Sequence, residues 1–170
     1  DIFEGGHRIP FIVRWPAKIK AGSETTATIC LTDFMATLAD MFQQPLKDNE
    51  GEDSFSLLPL LLQKKGYART SIVHHSIDGN FSVRRNDWKL IFARGSGGWS
   101  APAEKEAKAM GLPGLQLYDL KTDIREENNV AAGHTSIVKE LSDAIEDIVK
   151  NGRSTKGKKQ SNDVVVNYKE

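Results

Sequence analysis

Two side chains that can grip an anion leave a glycine hinge together near the start of the chain. Gly5 and Gly6 run directly into His7 and Arg8, and Pro10 follows. Glycine reaches positive φ freely and lets backbone N–H groups approach a ligand, which a residue bearing Cβ does poorly. Arg8 carries a planar fork of donors suited to sulfate, phosphate or carboxylate, and His7 can donate a hydrogen bond or exchange a proton near neutral pH. The same pattern also suits a plain turn whose arginine pairs with a carboxylate such as Glu4. Further along stand His74 and His75, where adjacent strand positions point to opposite faces, so at most one of them faces a given pocket. Neighbouring strand histidines do not converge on one zinc ion, and no cysteine or carboxylate is spaced to complete a tetrahedral set, so no metal site is expected. Trp99, in Gly97-Gly98-Trp99-Ser100, offers an aromatic face to a sugar ring; as a buried anchor for its loop it would read the same. Asp48 and Asn49 fall in the polar loop 47–53 and read as solvated rather than as a cation site.

The elements that must position these residues come from periodicity and punctuation. Phe11-Ile12-Val13 reads as a short buried strand ending at Trp15-Pro16. Thr32 is placed as the N-cap of a helix with Asp33 in its first turn. Phe34, Leu38, Met41 and Phe42 share one face of that helix, read as core. Ser56 can cap a short turn through Leu62, with Pro59 tolerated near its start. Residues 71–75, 81–84 and 88–92 form a meander with turns at Asp78-Gly79-Asn80 and Arg85-Asn86-Asp87, and 115–120 returns as a further strand. The stretch 93–115 lacks a period and is expected as a long excursion. Lys121 to Asn129 is a charged turn. Val138, Leu141, Ile145 and Ile148 keep helical spacing after Thr135, and Gly152 stops the helix.

The chain has 170 residues, 39% hydrophobic and 27% charged, with 23 basic and 23 acidic side chains. That length buries one core of moderate size. Zero formal charge provides no global field toward nucleic acid or an anionic membrane, so neither is expected as a partner. No apolar run approaches the roughly 20 residues that span a bilayer. A single cysteine, Cys30, excludes an intrachain disulfide.

The run Glu4-Gly5-Gly6-His7-Arg8-Ile9-Pro10-Phe11-Ile12, continued by Arg14-Trp15-Pro16-Ala17-Lys18-Ile19-Lys20-Ala21-Gly22-Ser23, resembles the segment that closes the catalytic domain of type I, formylglycine-dependent sulfatases. Thr32 to Asp40 resembles the helix after it, Ser56 to Leu61 the short leucine turn, and Asp87 to Ile91 with Leu117 to Leu120 the C-terminal subdomain. Ala17 departs from the glycine usual in that family.

The resemblance implies an α+β chain: the end of an alkaline phosphatase-like α/β domain over 1–64, a small antiparallel sheet packed by a C-terminal helix over 65–152, and a basic flexible tail over 153–170. The start of that tail, Asn151 to Thr155, is similar to the end of some bacterial sulfatases and so is also placed along the body of the protein. The family's nucleophile lies in a Cys/Ser-x-Pro-x-Arg context. Cys30 lacks both the proline and the arginine, and Ser100-Ala101-Pro102-Ala103-Glu104 carries Glu104 in place of the arginine. The calcium-binding carboxylates and a sulfate-contacting lysine lie upstream of the glycine motif in that family.

The chain is therefore expected to be a C-terminal fragment without catalytic residues or bound cofactor, calcium and formylglycine belonging to the parent enzyme. Its expected partners are the N-terminal catalytic domain and a sulfated small molecule or glycan. His7 and Arg8 are expected beside the sulfate, with His74 or His75, and Asn80 or Trp99 nearby, at the rim of a sugar site or as ordinary surface groups. Self-association through exposed apolar surface, and a periplasmic or secreted location, follow from the same resemblance. Two other readings remain open: a non-catalytic module that holds sulfated glycans, and a phosphate or phosphonate ester hydrolase of the alkaline phosphatase superfamily.

Overall fold

A computed structural model describes residues 1–169; Glu170, the end of the expected tail, lies outside them. The chain divides into two compact units. One comprises Asp1–Ile9, Ser71–Lys150 and Asn162–Glu170, the other Pro10–Thr70 and Asn151–Ser161.

In the first unit β1 (Ile72–His75), β2 (Phe81–Arg85), β3 (Trp88–Ile91) and β4 (Gln116–Asp119) form an antiparallel sheet in sequence order. This is the expected meander, with short turns joining β1 to β2 and β2 to β3 and a long excursion before β4. Asn86, at φ +54°, takes the left-handed position of the tight β2–β3 turn. The register places Val73, Val83, Leu90 and Leu117 in one row across the sheet. On this face Val83, Leu90 and Leu117 join Phe92, Leu141 and Ile145 in the larger buried cluster. Leu141 and Ile145 come from α5 (Thr135–Asn151), whose apolar residues recur at helical spacing and meet the sheet along one stripe. The helix begins on the carbonyl of His134, which accepts the N–H groups of Ile137 and Val138 at 3.0 Å each.

The opposite face carries the rows Ile72, Arg84, Lys89, Tyr118 and His74, Ser82, Ile91, Gln116. It is covered by the first residues of the chain. Ile2 joins Ile91, Ala93, Tyr118 and Leu120 in a second buried cluster with Phe3 against it, and Ile2 N–H donates to Ser96 O at 2.8 Å. With material on both faces, the middle of the sheet buries polar residues too, Ser82, Lys89 and Gln116 among them, and a buried polar group is costly without a partner.

Within the excursion 93–115 the structure contains α4 (Glu104–Ala109), which the sequence reading missed. Its alanines give no amphipathic period, yet Ala107 is fully buried, and Glu104 Oε2 accepts the Arg94 and Gly95 N–H groups at 2.9 Å each.

In the second unit α2 (Phe34–Met41) follows a 3-10 turn at Leu31–Asp33, and α3 (Leu58–Leu61) carries Pro59 near its start. The face of α2 expected as core is not: Phe34, Leu38 and Phe42 are exposed and Thr37 is buried instead. Polar bonding explains the inversion. Asp33 accepts Phe55 N–H at 2.9 Å, Cys30 N–H at 3.1 Å and the Tyr67 hydroxyl at 3.2 Å, and forms an ion pair with Arg69. Thr37 Oγ1 donates to Asp33 O at 2.6 Å and accepts Leu57 N–H at 2.8 Å. Phe11-Ile12-Val13, expected as a buried strand, pairs with no strand among the described residues, and Ile12 is 90% exposed. An unpaired segment leaves its backbone groups to water, so it does not form a strand by itself.

Beyond Gly152 the basic stretch is held down at its start. Arg153 is buried and donates to Asp48 O and Lys158 O at 2.9 Å each, and Thr155 Oγ1 donates to Glu52 O at 2.7 Å. Asp48 is therefore an acceptor for this strap and pairs with Arg153 at 3.7 Å.

Leu90 has no accessible surface and sits at the centre of the larger cluster. Leu90→Ala should lower stability by about 2–5 kcal/mol in urea unfolding. A loss below about 0.5 kcal/mol, the scale of a surface substitution, would contradict the placement of this residue in the core.

Candidate functional site

The glycine hinge folds into a single helical turn, α1 (Glu4–His7), closed by Arg8 N–H donating to Glu4 O at 2.7 Å and Gly6 N–H donating to Phe3 O at 2.9 Å. Four residues, two of them glycine, do not sustain a helix alone. What holds this turn is the side chain of Glu4. It is buried, with Oε2 accepting from Arg84 at 2.9 Å and Oε1 from Lys89 Nζ at 3.2 Å. Lys89 is fully buried and also pairs with Glu126 at 2.9 Å, and Glu126 Oε2 in turn accepts Glu4 N–H at 2.5 Å. Two cations and two carboxylates thus form a closed set beneath the turn. Burial pushes the Glu126 carboxyl upward, against the pull of Lys89 and the Glu4 N–H bond in the other direction.

His7 emerges from this turn and stacks on His74, with ring centroids 4.5 Å apart and planes 9° from parallel. Burial lowers the His7 pKa below 6.5; Lys89 lowers it further, and Glu4 opposes both. The imidazole is therefore neutral at pH 7, able to donate from one nitrogen and accept at the other. Its Nε2 is buried without a hydrogen-bond partner among the described residues. Arg8, one residue on, is exposed. The turn thus presents a neutral imidazole beside a solvated guanidinium, a pair that can meet an anionic group with charge and with a directed hydrogen bond.

The paired histidines separate as strand geometry requires. His74 lies on the Lys89 face next to His7, whereas His75 lies on the other face, exposed and edge-on to Phe81 at 5.0 Å. Trp99 is 85% exposed, so it does not anchor its loop. The loop is pinned from below: Ser100 N–H and Oγ donate to the Asp1 carboxylate at 3.0 and 2.7 Å, and Ser96 Oγ donates to Ser100 O at 2.5 Å. Asn80 sits beside this loop, where a Cβ on Gly97 would meet its Oδ1 at 2.9 Å. Asp1 also lies against Gly6, so the tryptophan loop and the hinge share a neighbour.

No family model matches the chain. It is 38% identical over 149 residues to an N-acetylgalactosamine-6-O-sulfatase of Bacteroides thetaiotaomicron, covering 86% of this chain and 28% of that protein. It is 31% identical over 157 residues to human arylsulfatase A, covering 86% of this chain and 30% of that protein. A solved structure from a study of the metabolism of multiple glycosaminoglycans by Bacteroides thetaiotaomicron superposes with a TM-score of 0.71 at 36% identity, over 86% of this chain and 30% of that one.

The chain belongs to the sulfatases. It spans less than a third of the length of these relatives. The four-stranded antiparallel sheet with its C-terminal helix is the α+β arrangement expected of this part of a sulfatase.

The donor set does not fit the calcium ion or the formylglycine expected of the whole enzyme. Among the described residues no group of three or more His, Cys, Asp or Glu could hold a metal ion. The carboxylates that are buried are already matched: Asp33 by Arg69, Glu4 by Arg84 and Lys89, Glu126 by Lys89. Cys30 is half-buried and precedes Leu31 and Thr32, and Ser100 donates its hydroxyl to Asp1.

Sequence reasoning named His7, Arg8 and His74 as candidates, and the structure brings His7 and His74 into contact beside an exposed Arg8; it passed over Lys89, Glu126 and Arg84, which lie beneath the turn. Lys89 sits in an otherwise apolar strand, Trp88-Lys89-Leu90-Ile91-Phe92, and that break in the pattern was the available signal.

Because the native state resists protonating His7 while the unfolded chain titrates near 6.5, the unfolded state binds more protons below that pH. His7 thus contributes stability that is present above 6.5 and lost as pH falls toward its lowered native value. An NMR titration should place the His7 midpoint below 6.5, and His7→Gln should flatten the stability profile in that window. A midpoint at or above 6.5 would contradict the buried stack.

Proposed function

We propose that this chain is the C-terminal part of a longer sulfatase that hydrolyses sulfate esters of carbohydrates or aryl compounds, and that it supplies one wall of the substrate pocket. The observation that carries this reading is the turn that holds neutral His7 and exposed Arg8 together, in a chain 38% identical to an N-acetylgalactosamine-6-O-sulfatase. In the longer enzyme, calcium and a formylglycine supplied by the rest of the protein would provide the nucleophile and charge stabilisation. Arg8 would bind the sulfate by charge, His7 would hydrogen-bond the ester region, and His74 would hold the His7 ring by stacking. The exposed apolar side chains of Phe34, Met35, Leu38 and Phe42 would pack against the catalytic domain that bears the nucleophile; in its absence they favour self-association.

Trp99 supports a carbohydrate substrate. A fixed loop that spends two glycines to hold an indole in solvent is suited to stacking on the apolar face of a pyranose. The same feature favours a second reading, in which the chain holds sulfated glycans without catalysis; calorimetry with a sulfated oligosaccharide separates the two, since appreciable binding by this chain alone supports the module.

The isolated chain should not hydrolyse an aryl sulfate. Turnover that survives replacement of both Cys30 and Ser100 by alanine would overturn the placement of the reaction centre elsewhere. In the longer enzyme, Trp99→Ala should reduce kcat/KM roughly tenfold for a 6-sulfated hexosamine and leave an aryl sulfate nearly unchanged, the scale of one lost aromatic contact. Equal effects on both substrates would count against a sugar-stacking role.

A further inference from the structure

Lys89 has no task in the chemistry proposed above, yet it is fully buried in the middle of the sheet. A lysine in that position is costly unless paired, and swapping a buried ionic set for apolar side chains of similar volume is often neutral or stabilising for a fold. Folding alone therefore does not account for it. The contacts of the set converge on one residue. Glu4 receives Lys89 and Arg84 on its carboxylate, gives its N–H to Glu126, and offers its carbonyl to Arg8. Lys89 then ties Glu126 back to Glu4. Glu126 itself sits at φ +57° in the charged turn after β4, held by its N–H on Asp123 O at 3.1 Å.

We propose that Lys89 is a positioning residue: by bridging Glu4 and Glu126 it locks the turn Glu4–Arg8 onto the sheet and thereby fixes where His7 and Arg8 stand. The consequence for catalysis rests on the reading of His7 and Arg8 as substrate contacts; the lock itself is a property of this chain alone. The anchor comes from a rigid element, since Lys89 is paired on both sides within the sheet, to Arg84 and to Tyr118. The turn has no rigidity of its own. Displacing Glu4 would release the Arg8 N–H bond and the His7–His74 stack together, because both hang from the same turn. The charged or titratable groups around His7 are His74 in contact, Lys89 and Glu4 below, and the α-amino group of Asp1; Arg84 and Glu126 complete the set behind them.

Lys89→Met alone leaves a carboxylate unmatched and can unfold the unit, so the informative variant is Lys89→Met with Glu126→Gln. It keeps Arg84 paired with Glu4 and preserves an acceptor for Glu4 N–H. Residue-resolved hydrogen exchange on the 170-residue chain should show the Arg8 and Gly6 amides exchanging about tenfold faster or more, with the Phe92 amide in the sheet unchanged. NMR should show the contacts between the His7 and His74 rings lost in the same variant. Unchanged hinge amides, or hinge and sheet amides accelerating in step as for a general loss of stability, would overturn the proposal. If the hinge loosens as expected while KM and kcat of the longer sulfatase stay the same, the lock stands and the assignment of His7 and Arg8 to substrate fails.

Discussion

An ammonium group with no accessible surface must find its counter-charges inside the protein, and that requirement organises the first unit. Lys89 enters the sheet from a strand whose other residues are apolar, and two carboxylates converge on it from segments far apart in sequence: Glu4 and Glu126. The first brings the start of the chain across the sheet; the second draws in the turn after β4. Arg84, opposite Lys89 in the register, balances the remaining charge. At the low effective dielectric of such a site each unmatched charge is strongly destabilising, so the pairings come as a set. The hydrophobic contacts of Ile2 with Ile91 and Tyr118 add burial to a placement that the charges specify.

The second unit uses the same logic around Asp33. Its carboxylate is completely buried and meets Arg69, Tyr67 and two backbone N–H groups, while Arg69 also lies 4.5 Å over the Phe55 ring. Burial and the Asp33 charge push the Tyr67 hydroxyl far above its ordinary pKa, so it remains a donor to that carboxylate at any physiological pH. With its apolar side chains turned outward on α2, this unit depends on polar bonds and on the Arg153 and Thr155 strap.

The meander, the closing helix and the histidine pair were legible in sequence because each is a local signal: alternation, turn residues, helical spacing, and the opposite orientation of adjacent strand positions. The family followed from ordered motifs, Glu4 to Ser23 foremost. What was not legible was long-range. Glu126 looked like one acid in a charged turn, and its burial depends on a lysine 37 positions earlier meeting a glutamate at position 4. The amphipathic pattern of Phe34, Leu38 and Phe42 correctly indicated a helix, but that face is exposed in this chain, and the bonding of Asp33 and Thr37, which places the other side of the helix inside, is not a pattern the sequence displays. Phe11 to Val13 failed for a related reason: strand propensity has no effect without a neighbouring strand to pair with.

The central claim is that the Glu4–Arg8 turn presents substrate-binding groups in a sulfatase. Its most direct test is the kinetics of sulfate release from a 6-sulfated N-acetylgalactosamine by the longer enzyme, comparing Arg8→Ala and His7→Ala with the parent. The account predicts that each lowers kcat/KM by roughly tenfold to a hundredfold, the scale of one lost charged or hydrogen-bonded contact, with the fold intact. Parent-like kcat/KM in both variants would contradict it.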